Sequence, residues 1–175
     1  MSERRPAVWR YVAAGLAVFV ADQISKGIID RLPEDFDHSV IPGLFRIIHA
    51  ENPGVAFGFF QYASPGFRDA LIAASSAALL VVLALLWRSR QTERTGYAMA
   101  LIVGGACGNL LDRVLHGKVV DFLLFYLGGH SWPVFNLADS AIVAGAALLV
   151  WEILHERRAE AAPVPAPQAG ISSAD

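Results

Sequence analysis

Four long apolar runs constrain this chain more than any other feature. A helix needs about 20 predominantly apolar residues to cross the hydrocarbon core of a bilayer. Runs of that size stand at about 11–29, 70–87, 96–115 and 134–154, and each predicts a membrane-spanning helix. Composition agrees: 55% of the residues are hydrophobic and 17% charged, with a mean hydropathy of +0.46, whereas a soluble domain carries roughly 25% charged residues. The net charge of −2 offers no basic surface for a nucleic-acid partner. Cys107 is alone, so an intrachain disulfide is excluded.

Polar residues interrupt these runs at one end. Asp22 and Lys26 lie late in the first run, Asn109, Asp112 and Arg113 late in the third, and Asn136 and Asp139 early in the fourth. Four alternating crossings bring all seven to the same membrane face. The opposite face carries Arg4, Arg5, Arg10, Arg88, Arg90, Arg94, Arg157 and Arg158, against six Lys or Arg spread over longer segments on the polar-cluster side. The positive-inside rule then places both termini in the cytoplasm and the cluster outside. Arg4, Arg5 and the first run also fit a cleavable signal peptide, but no small-x-small site follows them.

Residues 30–67, with Pro33, Pro42, Gly43, Pro53, Gly54, Pro65 and Gly66, are too polar to span. They read as a small extramembrane β element, with a strand-like run at 44–49. A second strand-compatible run covers 119–126. One integral-membrane domain over 1–158 and a disordered Ala- and Pro-rich tail over 159–175 are expected.

Ionisable groups within membrane segments are costly, so each is a functional candidate. If the fourth helix starts near Val134, Asp139 lies about 7 Å below that start. Asn136 shares its face. Asp121 sits in the loop before this helix, and Gly128, Gly129 and Pro133 allow the chain to fold back and pair the two carboxylates. Such a pair shares a proton, so one member serves as general base and the other as general acid, with neither metal nor cofactor. The residues alone fit equally well a surface-loop Asp121 and a helix-start Asp139 favoured by the helix dipole.

Other constellations read as support. Asp22 and Lys26 are spaced for an intrahelical ion pair, and Asn109 and Arg113 face together. Asp112 could pair with Arg113 or with a neighbouring helix. Gly104-x-x-x-Gly108 suits close helix packing. Ser25 points about 100° away from Lys26, against a Ser/Lys dyad. Cys107 reads as a small buried hydrophobe. The five histidines show no metal spacing; Ala159 stands where His155-Glu156 would need a second histidine.

Five strings appear in order: Asp-Gln-Ile-Ser-Lys (22–26), Glu-Asn-Pro-Gly-Val-Ala-Phe-Gly (51–58), Gly-Gly-Ala-Cys-Gly-Asn-Leu-Leu-Asp-Arg-Val (104–114), Val-Val-Asp-Phe (119–122) and Phe-Asn-Leu-Ala-Asp-Ser (135–140). Together they resemble the bacterial lipoprotein signal peptidase family, the type II signal peptidases. The resemblance implies an all-α membrane core of four transmembrane helices with a periplasmic β-cradle between the first two. It implies a catalytic dyad at Asp121 and Asp139, and supporting positions at Asp22, Lys26, Asn52, Gly54, Asn109, Asp112, Arg113 and Asn136. It also implies a prolipoprotein substrate cleaved before a diacylglyceryl cysteine, inhibition by globomycin-like cyclic peptides, no cofactor and an inner-membrane location. Contact with membrane lipids and a monomeric state are expected. Phe57, Phe59, Phe60 and Tyr62 suit either cover for a bound lipid or anchoring at the interface. A proton-coupled transporter subunit and a non-enzymatic assembly protein are the competing readings. Against the first, the polar groups gather at one face and not at the midplane.

Overall fold

The computed structural model describes residues 8–53 and 92–160, the side chains of the last five excepted, with isolated helical positions at 69, 70, 72, 73, 76, 77, 80 and 84. The expected second helix over 70–87 lies largely outside the described residues. So do Gly54, Phe57, Phe59, Phe60 and Tyr62.

Three long helices and a four-stranded antiparallel sheet make up the described elements. They run α1 (Val8–Ile29), β1 (Asp37–Ile41), β2 (Phe45–Asn52), α2 (Glu93–His116), β3 (Val119–Leu127), β4 (His130–Ser131) and α3 (Leu137–Glu160). All three helices are long and apolar enough to cross a membrane. The burial of α1 is inverted relative to a helix of a soluble bundle. On α1 the residues turned inward are Asp22, Lys26 and Ile29, whereas Val12, Leu16, Val20, Ile24 and Ile28 face outward. Those five recur every four residues, so they form one stripe. An apolar stripe outside and a charged pair inside suit lipid as the surrounding solvent.

Local chemistry sets the element ends. Thr92 caps α2, its hydroxyl accepting from Thr95 N at 3.1 Å. Gly117 ends that helix in the left-handed region at φ 72°, its N–H donating to Arg113 O at 3.1 Å. The chain then enters β3 after a single further residue. Gly128 and Gly129, at φ 56° and 84°, form the two-residue turn from β3 to β4, the conformation that matches strand twist.

Small residues let the helices meet backbone to backbone. A methyl group at Gly104 would overlap the carbonyl of Gly15 on α1, and one at Gly105 the carbonyl of Ala138 on α3. The glycine face read from the sequence is thus the middle layer of the bundle.

Three expectations need correction. The sheet, ordered β1-β2-β3-β4, is not confined to the segment after α1: β3 and β4 come from the connection after α2. Asp121 lies within β3, not in a loop, because its apolar neighbours pair that segment with β2. α3 begins at Leu137, three residues later than expected, because Phe135 is held by β3. Its N–H donates to Leu123 O at 3.1 Å, and its carbonyl accepts from Phe122 N and Leu123 N at 2.9 and 2.8 Å. This bridge seats the start of α3 directly beside Asp121.

Candidate active site

Asp22, Lys26, Asn52, Asn109, Asp112, Arg113, Asp121, Asn136 and Asp139 converge where the sheet meets the bundle. Asp121 is 3% exposed. Its Oδ1 accepts from Asn136 Nδ2 at 2.7 Å, and its Oδ2 from Asn52 Nδ2 at 2.9 Å. The β2–β3 register places Asn52 opposite Val119, on the strand paired to the one carrying Asp121. Both donors are neutral amides. Burial, with the Asp139 charge adding to it, pushes the Asp121 carboxyl up from 3.8 to about 6; the two amide hydrogen bonds and Lys26 oppose that rise.

Asp139 occupies the first turn of α3. Asn136 is the N-cap: its Oδ1 accepts from Asp139 N at 3.0 Å, while Asp139 Oδ2 accepts from Asn136 N at 3.4 Å. The reciprocal pair is a capping box with aspartate in the glutamate place. Asp139 Oδ1 accepts from Asn109 Nδ2 at 2.7 Å. Asn136 therefore touches both carboxylates, one through its side-chain amide and one through its backbone N–H. With the helix starting at 137, Asp139 lies nearer the helix end than the 134 start implied.

Behind the two aspartates lies a charged layer. Lys26, 4% exposed, meets Asp22 Oδ2 at 2.8 Å, Asp112 Oδ2 at 2.7 Å and Asn109 Oδ1 at 2.8 Å. The expected intrahelical pair is present, but the same ammonium also bridges α1 to α2. Asp112 thus pairs across helices and not with Arg113, whose Nη1 donates to Asn109 O at 3.2 Å. Asp22 is fully buried, and its Oδ1 accepts from Ala138 N at 2.9 Å, satisfying a second open N–H of α3. A methyl group at Gly108 would overlap Asp22 Oδ2, so the glycine admits this carboxylate.

Gln23 escaped the sequence reading. Its Nε2 reaches Asp112 Oδ1 at 3.0 Å and Asp22 Oδ2 at 3.2 Å. Its place inside the Asp-Gln-Ile-Ser-Lys string was the available signal. Ser25 turns away from Lys26, its hydroxyl donating to Asp22 O at 2.8 Å, in line with the geometric argument against a Ser/Lys dyad.

This arrangement has known relatives. Residues 14–155 match the family described as signal peptidase (SPase) II. A lipoprotein signal peptidase of Solibacter usitatus is 37% identical over 153 residues, 86% of this chain and 93% of that protein. One from Burkholderia vietnamiensis is 42% identical over 149 residues, 85% and 89% of the two chains. One from Desulforapulum autotrophicum is 39% identical over 154 residues, 86% and 95% of the two. Among solved structures, a bacterial membrane enzyme superposes with a TM-score of 0.81 at 26% identity, covering 94% of this chain and 99% of its own. A fold match of that extent, joined to these sequence matches, carries one conclusion: the chain belongs to the signal peptidase II family of membrane peptidases.

Proposed function

We propose that this chain is an aspartic endopeptidase that cleaves diacylglyceryl-modified bacterial prolipoproteins before the lipidated cysteine, using Asp121 and Asp139 as its catalytic pair. The observation that carries the reading is Asn136, which hydrogen-bonds two carboxylates from different elements. The raised value of Asp121 supports a shared proton, with Asp121 as its holder up to about pH 6. Asp139 then takes a proton from the attacking water, and Asp121 gives its proton to the scissile carbonyl oxygen. As the resulting diol collapses, Asp139 gives its proton to the departing amine and one diol hydroxyl returns its proton to Asp121, which restores the starting state. The roles of acid and base thus alternate between the two carboxylates around the cycle.

The supporting residues hold this pair. Asn52 and Asn136 orient Asp121, Asn109 orients Asp139, and Lys26, Asp22, Asp112 and Arg113 fix Asn109 and the start of α3. Gly54 is assigned to the β-cradle by family resemblance. A lipidated cysteine is held at a leaflet by its acyl chains, so its scissile bond lies near the interface, the depth of Asp139 in the first turn of α3. The arginine asymmetry supports cytoplasmic termini and a dyad near the periplasmic face of the inner membrane. A single four-helix domain over 1–158 with a tail over 159–175, a monomeric state and inhibition by globomycin-like peptides complete the reading.

The test is turnover of a lipidated prolipoprotein by purified protein. Asp121→Asn and Asp139→Asn should each lower the rate roughly 10³-fold or more while circular dichroism stays helical. Near-normal cleavage by either variant would remove the dyad assignment.

A further inference from the structure

A second cluster lies outside the proposed dyad, where the end of α1 meets β2. Asp30, His49 and Glu51 each offer a ligand atom, and these atoms lie within 4.8 Å of one another. Asp30 follows α1 directly, its N–H donating to Lys26 O at 2.8 Å. His49 and Glu51 stand two apart on β2, so they share one face of the strand. A cavity of about 240 Å³ opens there, lined by Glu34, His49 and Glu51.

The imidazole distinguishes this cluster from a chance gathering of acids. His49 Nδ1 faces two carbonyls, Leu32 O at 3.2 Å and Pro33 O at 3.3 Å. Carbonyl oxygens only accept, so Nδ1 carries the proton. In the neutral ring the lone pair therefore sits on Nε2. That atom is shut off from solvent and has no hydrogen-bond partner. A ring nitrogen N–H held by a backbone carbonyl, with the other nitrogen left unpartnered, is how proteins prepare a histidine ligand. Lys118 pairs with Glu51 Oε1, and a metal ion needs only one oxygen from each carboxylate.

We infer that Asp30, His49 and Glu51 form a binding site for a divalent transition ion of the zinc class, separate from the proposed catalytic pair. One imidazole and two carboxylates suit a borderline ion better than calcium or magnesium, which prefer oxygen alone. Ligand atoms around a tetrahedral zinc stand about 3.4 Å apart for bonds of roughly 2.1 Å, so modest side-chain movement closes the site. A bound ion would tie the end of α1 to β2 three residues before Asn52, which holds Asp121. Asp30 is far from His49 and Glu51 in the chain, so no compact motif announces the three in the sequence.

The experiment is zinc titration of the tag-free, full-length protein in detergent micelles by calorimetry, with the melting temperature followed in parallel. One zinc per chain is expected, together with a rise in Tm. His49→Ala and Glu51→Gln should each weaken binding by roughly tenfold or more and abolish the rise in Tm, since loss of outer-shell partners alone can cost that much. Asp30→Asn, at an exposed turn, provides a variant whose folding is not in question. Cleavage of a lipidated prolipoprotein by the variants reports separately on the dyad. Absence of zinc binding, or equal affinity in the wild type, His49→Ala and Asp30→Asn, would overturn the site.

Discussion

The two ends of the helix bundle both bury carboxylates, but in different company. At the end away from the sheet, Glu152 is 7% exposed. It accepts from Thr92 Oγ1 at 2.8 Å and lies 3.5 Å from Arg94 Nη1, whose guanidinium also stacks over Trp151. It is met by a cation and a hydroxyl from the start of α2. At the sheet end, Asp121 and Asp139 are held by amide groups alone among the contacts given above. The nearby ammonium of Lys26 is already engaged by Asp22 and Asp112. A carboxylate paired with its own cation acts as a clamp. Two carboxylates held by neutral donors are left to share a proton, which is what acid–base hydrolysis needs.

Activity should separate the two ends most sharply. Glu152→Gln should cleave a lipidated prolipoprotein within a few-fold of the wild-type rate, against the roughly 10³-fold losses expected of Asp121→Asn and Asp139→Asn. Comparable losses at Glu152 would mean that the bundle transmits damage from either end and that the contrast has no catalytic content.

Next in size is the charged layer behind the dyad. Lys26→Met leaves Asp22 and Asp112 buried without their cation, at a cost of about 3–5 kcal/mol. A thermal or denaturant melt in micelles would check it. A loss under about 1 kcal/mol would show that the layer is hydrated and not sealed.

The protonation state of Asp121 gives a pH signature. Burial raises its folded value from 3.8 to about 6, so the fold prefers the protonated acid. Its stabilising contribution is full below about pH 4 and is lost as pH rises through about 6, on the order of 3 kcal/mol in all. The melting temperature of the wild type should fall across that window, and Asp121→Asn should flatten the fall. An unchanged slope in the variant would place the titration elsewhere. Cleavage should decline above about pH 6 for the same reason.

The smallest effect belongs to the clamp. Glu152→Gln keeps a hydrogen-bonding group of the same shape and loses only its partial pairing with an exposed arginine, about 1 kcal/mol. A cost of several kcal/mol in the melt would make Glu152 a sealed buried charge and weaken the contrast between the ends.

Much of this molecule was legible before any coordinates. Hydropathy is local, and a run of 20 apolar residues has few alternatives to a spanning helix. The one-end convergence of Asp22, Lys26, Asn109, Asp112, Asn136 and Asp139 followed from alternating crossings alone. The strand-like runs at 44–49 and 119–126 were readable for the same local reason. Their pairing with each other was not, since a β partner is chosen across the whole chain and not by the strand's own residues. The same long-range pairing turned Asp121 from a loop residue into a strand residue.

The sequence by itself therefore determined the solvent, the three described helices and the end of the bundle where polar groups gather, because each rests on the composition and spacing of neighbouring residues. Tertiary structure decided what those groups do to one another. The Leu123–Phe135 bridge delays α3 to Leu137 and makes Asn136 a cap that reaches both aspartates. Gly108 admits Asp22 to the start of the same helix. Asp30, His49 and Glu51 meet only because β2 returns to the end of α1. Each depends on distances between residues far apart in the chain, which local pattern does not encode.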